Sequence, residues 1–277
     1  MNSSNPLLSV IIVNFNGGGH LKKAVDSLQN LTTPFETIIV DNNSSDNSLE
    51  FTKDRKDIVT IKNSCNLGFS KANNIGVQNS KGLNILLLNN DAAILDDINS
   101  LIDKLNSNPL SIWSCKMIGE SGKVRPSFGR FPSSILDIAL PSRLYNTPTS
   151  AVGSIKPDWV EGSFMLTTKK LWDIVGGFDE KIFMYGEDIQ LCREVRDLGG
   201  EINVDQTISY FHKGGFNDSK KGNIYIGFLH YSRKKPEKFE RIKLVSAIKI
   251  MIVLKYIYSR IMLNGEAAAS YKRAMFS

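Results

Sequence analysis

Apolar runs that break off at polar side chains dominate the first third of the chain. Residues 8–15 (LSVIIVNF), 36–41 (ETIIVD), 58–62 and 83–88 read as β-strands, and the first, second and fourth lead directly into asparagine or aspartate. Helical spacing fills the gaps. Leu21, Val25 and Leu28 share a face within residues 21–31, residues 45–53 open a helix, and residues 70–80 form another. Continuous apolar strands alternating with helices predict an α/β fold with a mostly parallel sheet covered on both faces.

The second half is less regular. Residues 112–118 read as a strand. Residues 122–145 mix Arg125, Arg130, Pro126, Pro132 and Pro141 with apolar positions and read as a flexible excursion, a lid or acceptor loop. Residues 159–167 form one further strand, and residues 169–175 a short helix closed by Gly176 and Gly177. Residues 187–198 form a helix with Leu191, Val195 and Leu198 on one face, and residues 202–211 return as extended chain.

Bulk properties narrow the choices only a little. A chain of 277 residues, 42% apolar and 22% charged, suits one large globular domain, or a domain with a small appendage. The net charge of +6 suits an anionic substrate, a nucleic acid or an anionic membrane. The basic residues are dispersed and no aromatic platform interleaves them, which argues against nucleic acid. Cys65, Cys115 and Cys192 are far apart, so neither a zinc knuckle nor a disulfide framework is suggested, and a reducing cytoplasm is the expected compartment. The first residues, MNSSNPLLSV, lack a basic region and a cleavage site, so no signal peptide is read there.

Ligands of parallel sheets sit at the carboxyl ends of the strands. Three polar clusters end there: Asn14-Phe15-Asn16, Asp41-Asn42-Asn43 and Asn89-Asn90-Asp91. Any one of them is satisfied by a turn; all three together suggest a rim that binds something. Asn16-Gly17-Gly18-Gly19 is a turn with free backbone, because neither GxGxxG nor Gly-Lys-Ser/Thr is present. In VDNNSSDNS, Ser45 or Asp46 could cap the next helix, while Asp41, ending a buried strand, needs partners that a nucleobase or ribose could supply. NLGFSKANNIG puts Gly68, Asn73, Asn74 and Gly76 near the same rim. Asp91 offers oxygen ligands of the kind Mg²⁺ or Mn²⁺ takes together with substrate phosphates, and Asn90 could bond a ribose. Glu187 and Asp188 could simply complement a helix dipole. Their apolar approach, Phe183-Met184-Tyr185, would also raise a carboxyl towards neutrality, which suits Asp188 as a general base. His212, beside Lys213 and two glycines, is either structural or a metal ligand.

Taken in order, SVIIVNFN, VDNNSSDNS, NLGFSKANNIG, LLLNND, WVEGSFML, GGFDE, FMYGEDIQLC and HKGG resemble a family 2 glycosyltransferase of the GT-A (Rossmann-like) fold, from about Leu8 to about Phe216. The likeness is to the rhamnosyltransferase-like subgroup of bacterial surface-polysaccharide enzymes. It implies an inverting transfer from a nucleoside-diphosphate sugar, dTDP-L-rhamnose ahead of UDP-hexoses, to a saccharide or lipid-linked saccharide acceptor. By the resemblance Asn14, Asp41, Asn43, Gly68, Asn74 and Asn90 belong to the nucleotide side of the donor site, and Gly162 and Ser163 lie near its sugar. Asp91 and His212 would hold Mg²⁺ or Mn²⁺. Asp188 would be the base, with Glu187 beside it orienting the acceptor or a neighbouring side chain. The general pattern Asp-x-Asp has Asn89 in its first position here, so Asn89 is left out of the metal shell. The implied division is a catalytic domain over residues 1–220, with a nucleotide-binding half to about 110 and an acceptor half from 111, and a helical extension over 221–277. The rival reading is a non-catalytic nucleotide-sugar or carbohydrate-binding protein of the same fold.

Residues 243–263 are long and apolar but carry Lys249, Lys255 and Arg260. That pattern suits a helix lying on an anionic membrane surface better than one spanning it. Arg233, Lys234, Lys235 and Lys238 upstream would add to the attraction. A helix packed on the catalytic domain, or on a second subunit in a homodimer, explains it equally. Contact with the membrane would make the protein peripheral at the inner face of the cytoplasmic membrane.

Overall fold

The structure is a computed structural model. The structure describes residues 7–146, 153–214, 221–234 and 237–277. The opening residues 1–6, Lys235, the boundary near residue 220, and Gly215 and Phe216 at the end of the last motif lie outside the described residues.

The elements run β1 (Leu8–Asn14), α1 (Gly19–Asp26), β2 (Phe35–Asp41), β3 (Ile58–Lys62), α2 (Phe69–Gln78), β4 (Asn84–Asn89), β5 (Ala92–Ile94), α3 (Asn99–Ser107) and β6 (Ser111–Ile118). They continue as β7 (Val124–Arg125), β8 (Phe128–Gly129), α4 (Ile135–Ala139), β9 (Ser154–Ile155), β10 (Trp159–Val160), β11 (Phe164–Thr168), α5 (Lys169–Val175), α6 (Glu187–Asp197), β12 (Glu201–His212), α7 (Lys221–Arg233), α8 (Lys238–Ile261) and α9 (Gly265–Met275). The central sheet has the order β3-β2-β1-β4-β11-β6-β12-β5. Strands β3, β2, β1 and β4 are parallel, β11 runs against both β4 and β6, and β12 is parallel to β6.

Strand side chains alternate between two cores. Ile11, Ile38, Val40, Ile85 and Leu87 face α2, α5, α6 and the carboxyl-terminal helices. Val10, Ile12, Ile39, Leu86 and Leu88 face α1 and α3. Both faces are dry, which explains runs with no polar alternation. Helix α5 ends on Gly176 in the left-handed conformation, as its sequence requires.

Several expectations need correcting. Residues 45–53 do not open a helix; only a single 3-10 turn forms at Glu50–Thr52. Ser48 donates its backbone N–H and hydroxyl to Asp46, and Asp46 also accepts from the backbone of Gly18. Short polar side chains have here outcompeted the helix for the backbone. Residues 122–145 are not a bare excursion. Strand β8 pairs with β10, and α4 has a capping box between Ser134 and Asp137, whose carboxylate also pairs with Arg130. Residues 159–167 form two strands, because the chain breaks at Glu161-Gly162-Ser163 to leave the β8 pair and join the main sheet. Leu198 is exposed, unlike the buried Leu191 and Val195, because α6 ends one residue before it and the chain turns at Gly199. The apolar segment near the carboxyl terminus is helical from Lys238, and β5 and α3 are additions that no pattern suggested.

Helix α7 presses on the turn before α6. The chain at Tyr185 and Gly186 has positive φ at both residues, 73° and 97°, and Tyr185 lacks glycine's freedom there. A Cβ on Gly227 of α7 would lie 2.1 Å from the Tyr185 carbonyl oxygen and 3.0 Å from the Gly186 Cα. Alanine normally favours a helix over glycine by about 1 kcal/mol. At position 227 overpacking should reverse that sign by roughly 1–3 kcal/mol. Gly227→Ala should therefore lower Tm by several degrees in a thermal melt; an unchanged or raised Tm would show that the turn does not depend on this contact.

Candidate active site

Register sets the rim. Asn14 pairs with Asp41 across β1 and β2, and Val13 pairs with Asn89 across β1 and β4, so three strand ends lie level. Because β11 runs antiparallel, its first residue Phe164 pairs with Leu88, and the Glu161-Gly162-Ser163 break reaches the same edge. His212 ends β12 rather than following it and pairs with Ala92 of β5, next to Asp91. The Asn89 backbone N–H donates to the Ser163 carbonyl (3.1 Å), which ties the two sides.

Asn14 is fully buried, and its amide is engaged on both ends. It donates to Asp41 Oδ1 (2.9 Å), Ser44 Oγ (3.0 Å) and Ser48 Oγ (2.9 Å), and its Oδ1 accepts from Asn90 (3.1 Å). Asp41 also accepts from the Ser44 hydroxyl (2.6 Å) and backbone N–H (3.1 Å). The partners that a buried Asp41 needs thus come from the chain itself. A Cβ on Gly17 would strike Asn14 Oδ1 at 2.4 Å and Asn90 Nδ2 at 2.7 Å, so close approach explains that glycine. Asn43 is exposed with φ 65°, at the lip.

Gly68 and Asn74 work behind the rim. A Cβ on Gly68 would meet the Phe183 carbonyl oxygen at 2.5 Å. The Asn74 amide donates to the Phe178 carbonyl (2.9 Å) and accepts from the Phe178 N–H (3.0 Å). Gly68 thus packs closely against the 178–186 segment that leads to Glu187 and Asp188, and Asn74 bonds it.

On one side of the cleft Asp91 Oδ1 lies 3.1 Å from His212 Nε2. Burial pushes the Asp91 carboxyl up, but the hydrogen bond and positive charge of His212 more than offset this, and the net displacement is downward. Asn89 Nδ2 lies 3.3 Å from the same His212 nitrogen, and its buried Oδ1 has no donor among the described residues. No cluster of three or more His, Cys, Asp or Glu suited to a metal occurs among the described residues. One carboxylate and one imidazole nevertheless fit Mg²⁺ or Mn²⁺, which accept few protein ligands when substrate phosphates supply the rest. Lys213, whose ammonium lies 3.0 Å from His20 Nε2 and whose backbone N–H donates to the Asp91 carbonyl, and Arg125, which donates to the Lys213 carbonyl (3.1 Å), bring positive charge beside Asp91.

On the other side three carboxylates meet. Asp188 Oδ2 accepts from the Gly162 N–H (3.3 Å) and Oδ1 from the Ile189 N–H (2.8 Å). Burial, then the negative charge of Glu161, pushes the Asp188 carboxyl up to about 6. Glu187 is buried, one of its oxygens has no donor among the described residues, and burial followed by Asp188 holds its carboxyl well above the usual range. Glu161 accepts from the Tyr145 hydroxyl (3.0 Å) and the Ser163 hydroxyl (3.3 Å). Burial raises it too, and a positive His212 pulls partway back. The bonds from Asn89 to the Ser163 carbonyl and from Gly162 to Asp188 bring the two sides to the same edge of the sheet.

Asn14, Asp41, Asn90, Asp91, Gly162, Ser163, Asp188 and His212 are thus gathered at one sheet edge. Sequence reasoning missed Glu161, Tyr145, His20 and Lys213 as site residues. A charged residue inside an apolar strand pattern was the available signal for Glu161; Tyr145 carried none.

A model of the family described as glycosyl transferase family 2 matches residues 9–156. The chain is 28% identical over 238 residues to the low-salt glycan biosynthesis hexosyltransferase Agl10 of Haloferax volcanii, covering 82% of this chain and 74% of that protein. It is 26% identical over 211 residues to the N-acetylglucosaminyl-diphospho-decaprenol L-rhamnosyltransferase of Mycobacterium tuberculosis, covering 67% and 69%. Among solved structures, GalNAc-T7 with UDP, GalNAc and Mn²⁺ superposes with a TM-score of 0.62 at 13% identity over 90% of this chain; the chain spans only 56% of that one. The fold, the aligned rim and the family match agree, and the chain belongs to glycosyl transferase family 2.

Proposed function

We propose that this glycosyltransferase moves a sugar, L-rhamnose from dTDP-L-rhamnose ahead of a hexose from a UDP-sugar, to a saccharide or lipid-linked saccharide acceptor, with inversion at the anomeric carbon. What supports the reading is that the Asp91–His212 pair (3.1 Å) and Asp188, held by the Gly162 N–H, lie at the same sheet edge, with burial raising the Asp188 carboxyl to about 6. A general base works best when its pKa lies near the operating pH. Rhamnose is favoured because the mycobacterial relative is named as a rhamnosyltransferase; Agl10, named as a hexosyltransferase, keeps the hexose alternative.

Asp41, Asn43 and Asn90 line the nucleoside side, with Asn14 bracing Asp41 and Asn90 from below. Gly162 and Ser163 border the sugar. When bound by Asp91 and His212, Mg²⁺ or Mn²⁺ supplies Lewis-acid neutralisation of charge on the departing diphosphate. Asp188 takes the proton of the acceptor hydroxyl as that oxygen attacks the anomeric carbon. The bond from that carbon to the diphosphate oxygen breaks with its electron pair going to the diphosphate. Glu187, beside Asp188, orients the acceptor or a neighbouring side chain. One displacement suffices, so no enzyme nucleophile is needed. The activity should rise with pH through about 6 as Asp188 loses its proton. Asp188→Asn should lower release of nucleoside diphosphate from the nucleotide sugar by roughly 10²–10⁴-fold. Stabilisation by the same nucleotide sugar in a thermal shift should be retained. Normal turnover in the variant would reassign the base.

The carboxyl-terminal helices favour a lipid-linked acceptor. No helix among the described residues is long and apolar enough to cross a membrane. One face of α8 is packed in the core through Leu244, Ile248 and Ile252. Its other face shows Ile250, Val253, Leu254, Ile257, Tyr258 and Ile261 to solvent, with Ile261 71% exposed. Five cations, Arg241, Lys243, Lys249, Lys255 and Arg260, lie between Glu240 and Glu266, with no acidic residue between those two glutamates. This combination suits an anionic membrane surface; two copies joined through this face would repel. Helix α4, which packs against α8, exposes Ile135 and Leu136, and its segment leads to Tyr145 at the carboxylate side of the cleft. The protein should float with phosphatidylglycerol vesicles and not with phosphatidylcholine vesicles, and Ile250→Glu with Ile257→Glu should abolish flotation while leaving Tm unchanged. Equal flotation of both proteins, or of neither, would remove the membrane role.

A further inference from the structure

Glu161 has no part in the roles assigned above, yet its position is unusual. It interrupts the apolar run between β10 and β11, and its backbone N–H donates to the Ser127 carbonyl (2.8 Å). Both carboxylate oxygens are held, one by the Tyr145 hydroxyl and the other by the Ser163 hydroxyl. The next residue, Gly162, donates its N–H to Asp188 Oδ2. No lysine or arginine among the described residues forms an ion pair with Glu161, Glu187 or Asp188. A carboxylate placed like this exerts a field that water and counter-ions screen poorly.

We propose that Glu161 is a positioning residue for sugar transfer: clamped by Tyr145 and Ser163 one peptide away from Asp188, its negative charge keeps Asp188 in the role of proton acceptor. The charged and titratable groups facing this pair are few. Glu187 comes from the same helix as Asp188, Cys192 from its next turn, Tyr145 from the segment after α4, and Tyr185 from the turn before α6. His212 and Tyr210 of β12 and Arg125 of β7 also face Glu161. The negative charge of Glu161 acts upward on Asp188. The hydroxyls of Tyr145 and Ser163 favour the ionised form of Glu161 and so sustain that effect. This division gives the carboxylates different work: Asp188 accepts the proton, and Glu161 sets the affinity with which it is accepted.

The inference rests on Asp188 as the base, and its test does not depend on turnover. Protein labelled with carbon-13 at the aspartate carboxyl is titrated by NMR, with the Asp188 signal identified by its loss in Asp188→Asn. In Glu161→Gln the midpoint of Asp188 should fall from about 6 by on the order of one pH unit, because a neutral amide replaces the repelling charge. Glu161→Asp, which keeps the charge, should leave the midpoint nearer the parent value. Tyr145→Phe should move it down by less than Glu161→Gln, and it carries the test if Glu161→Gln does not fold. The acidic limb of the pH–rate profile, followed as nucleoside diphosphate released, should move with the midpoint. An unmoved Asp188 midpoint in the folded variants overturns the proposal, even if turnover falls uniformly at all pH values. If the midpoint moves but Asp188→Asn retains turnover, the assignment of the base fails and the coupling stands.

Discussion

A single buried amide organises the floor of the cleft. Asn14, closed off at the end of β1, joins the end of β2 through Asp41, the loop beyond it through Ser44 and Ser48, and the segment after β4 through Asn90. A buried polar group left without its partner costs about 1–3 kcal/mol, so these strand ends hold together or come apart as a unit. Asp91 follows Asn90 directly, and its geometry towards His212 depends on that anchoring. The network also explains why residues 45–53 remain irregular: their serines and aspartate are engaged with the rim rather than with a helix.

Charge then divides the cleft. Lys213 and Arg125 bring positive charge to the side of Asp91 and His212, while Glu161, Glu187 and Asp188 line the other side with carboxyl groups. In the proposed transfer, the diphosphate leaving group lies against the first wall and the hydroxyl losing its proton against the second. The walls are brought together by topology, since the antiparallel β11 carries the Glu161 break to the edge where β1, β2 and β4 end. The left-handed backbone at Tyr185 and Gly186, supported by Gly227 of α7, then aims the start of α6 into that edge. Helix α7 is in this way tied to the chemistry, although it contributes no side chain to it.

Much of this was legible in the chain. The strands β1, β2 and β4 were plain because a strand buried on both faces must be uniformly apolar, and their polar ends were conspicuous by contrast. The rim residues Asn14, Asp41, Asn90 and Asp91 followed from that contrast, and Asp188 from its place after an apolar approach to a helix start. What each polar group bonds was not legible. The pairing of Asn14 with Asp41, or of Asn74 with the Phe178 backbone 104 residues later, depends on register and crossover, which local pattern does not carry. The same limit hid Glu161: a strand read continuously from Trp159 conceals a break whose cause, the bonds to Ser127, Tyr145 and Asp188, is entirely tertiary.

The most direct test of a shared cleft is a crystal structure of the full chain with a nucleoside diphosphate, UDP or dTDP, and Mn²⁺. An ion on Asp91 and His212, with the diphosphate along the positive wall and its far end open towards Asp188, is the required result. An ion or nucleotide seated on another surface, with Asp91 and His212 still bonded only to each other, would contradict it.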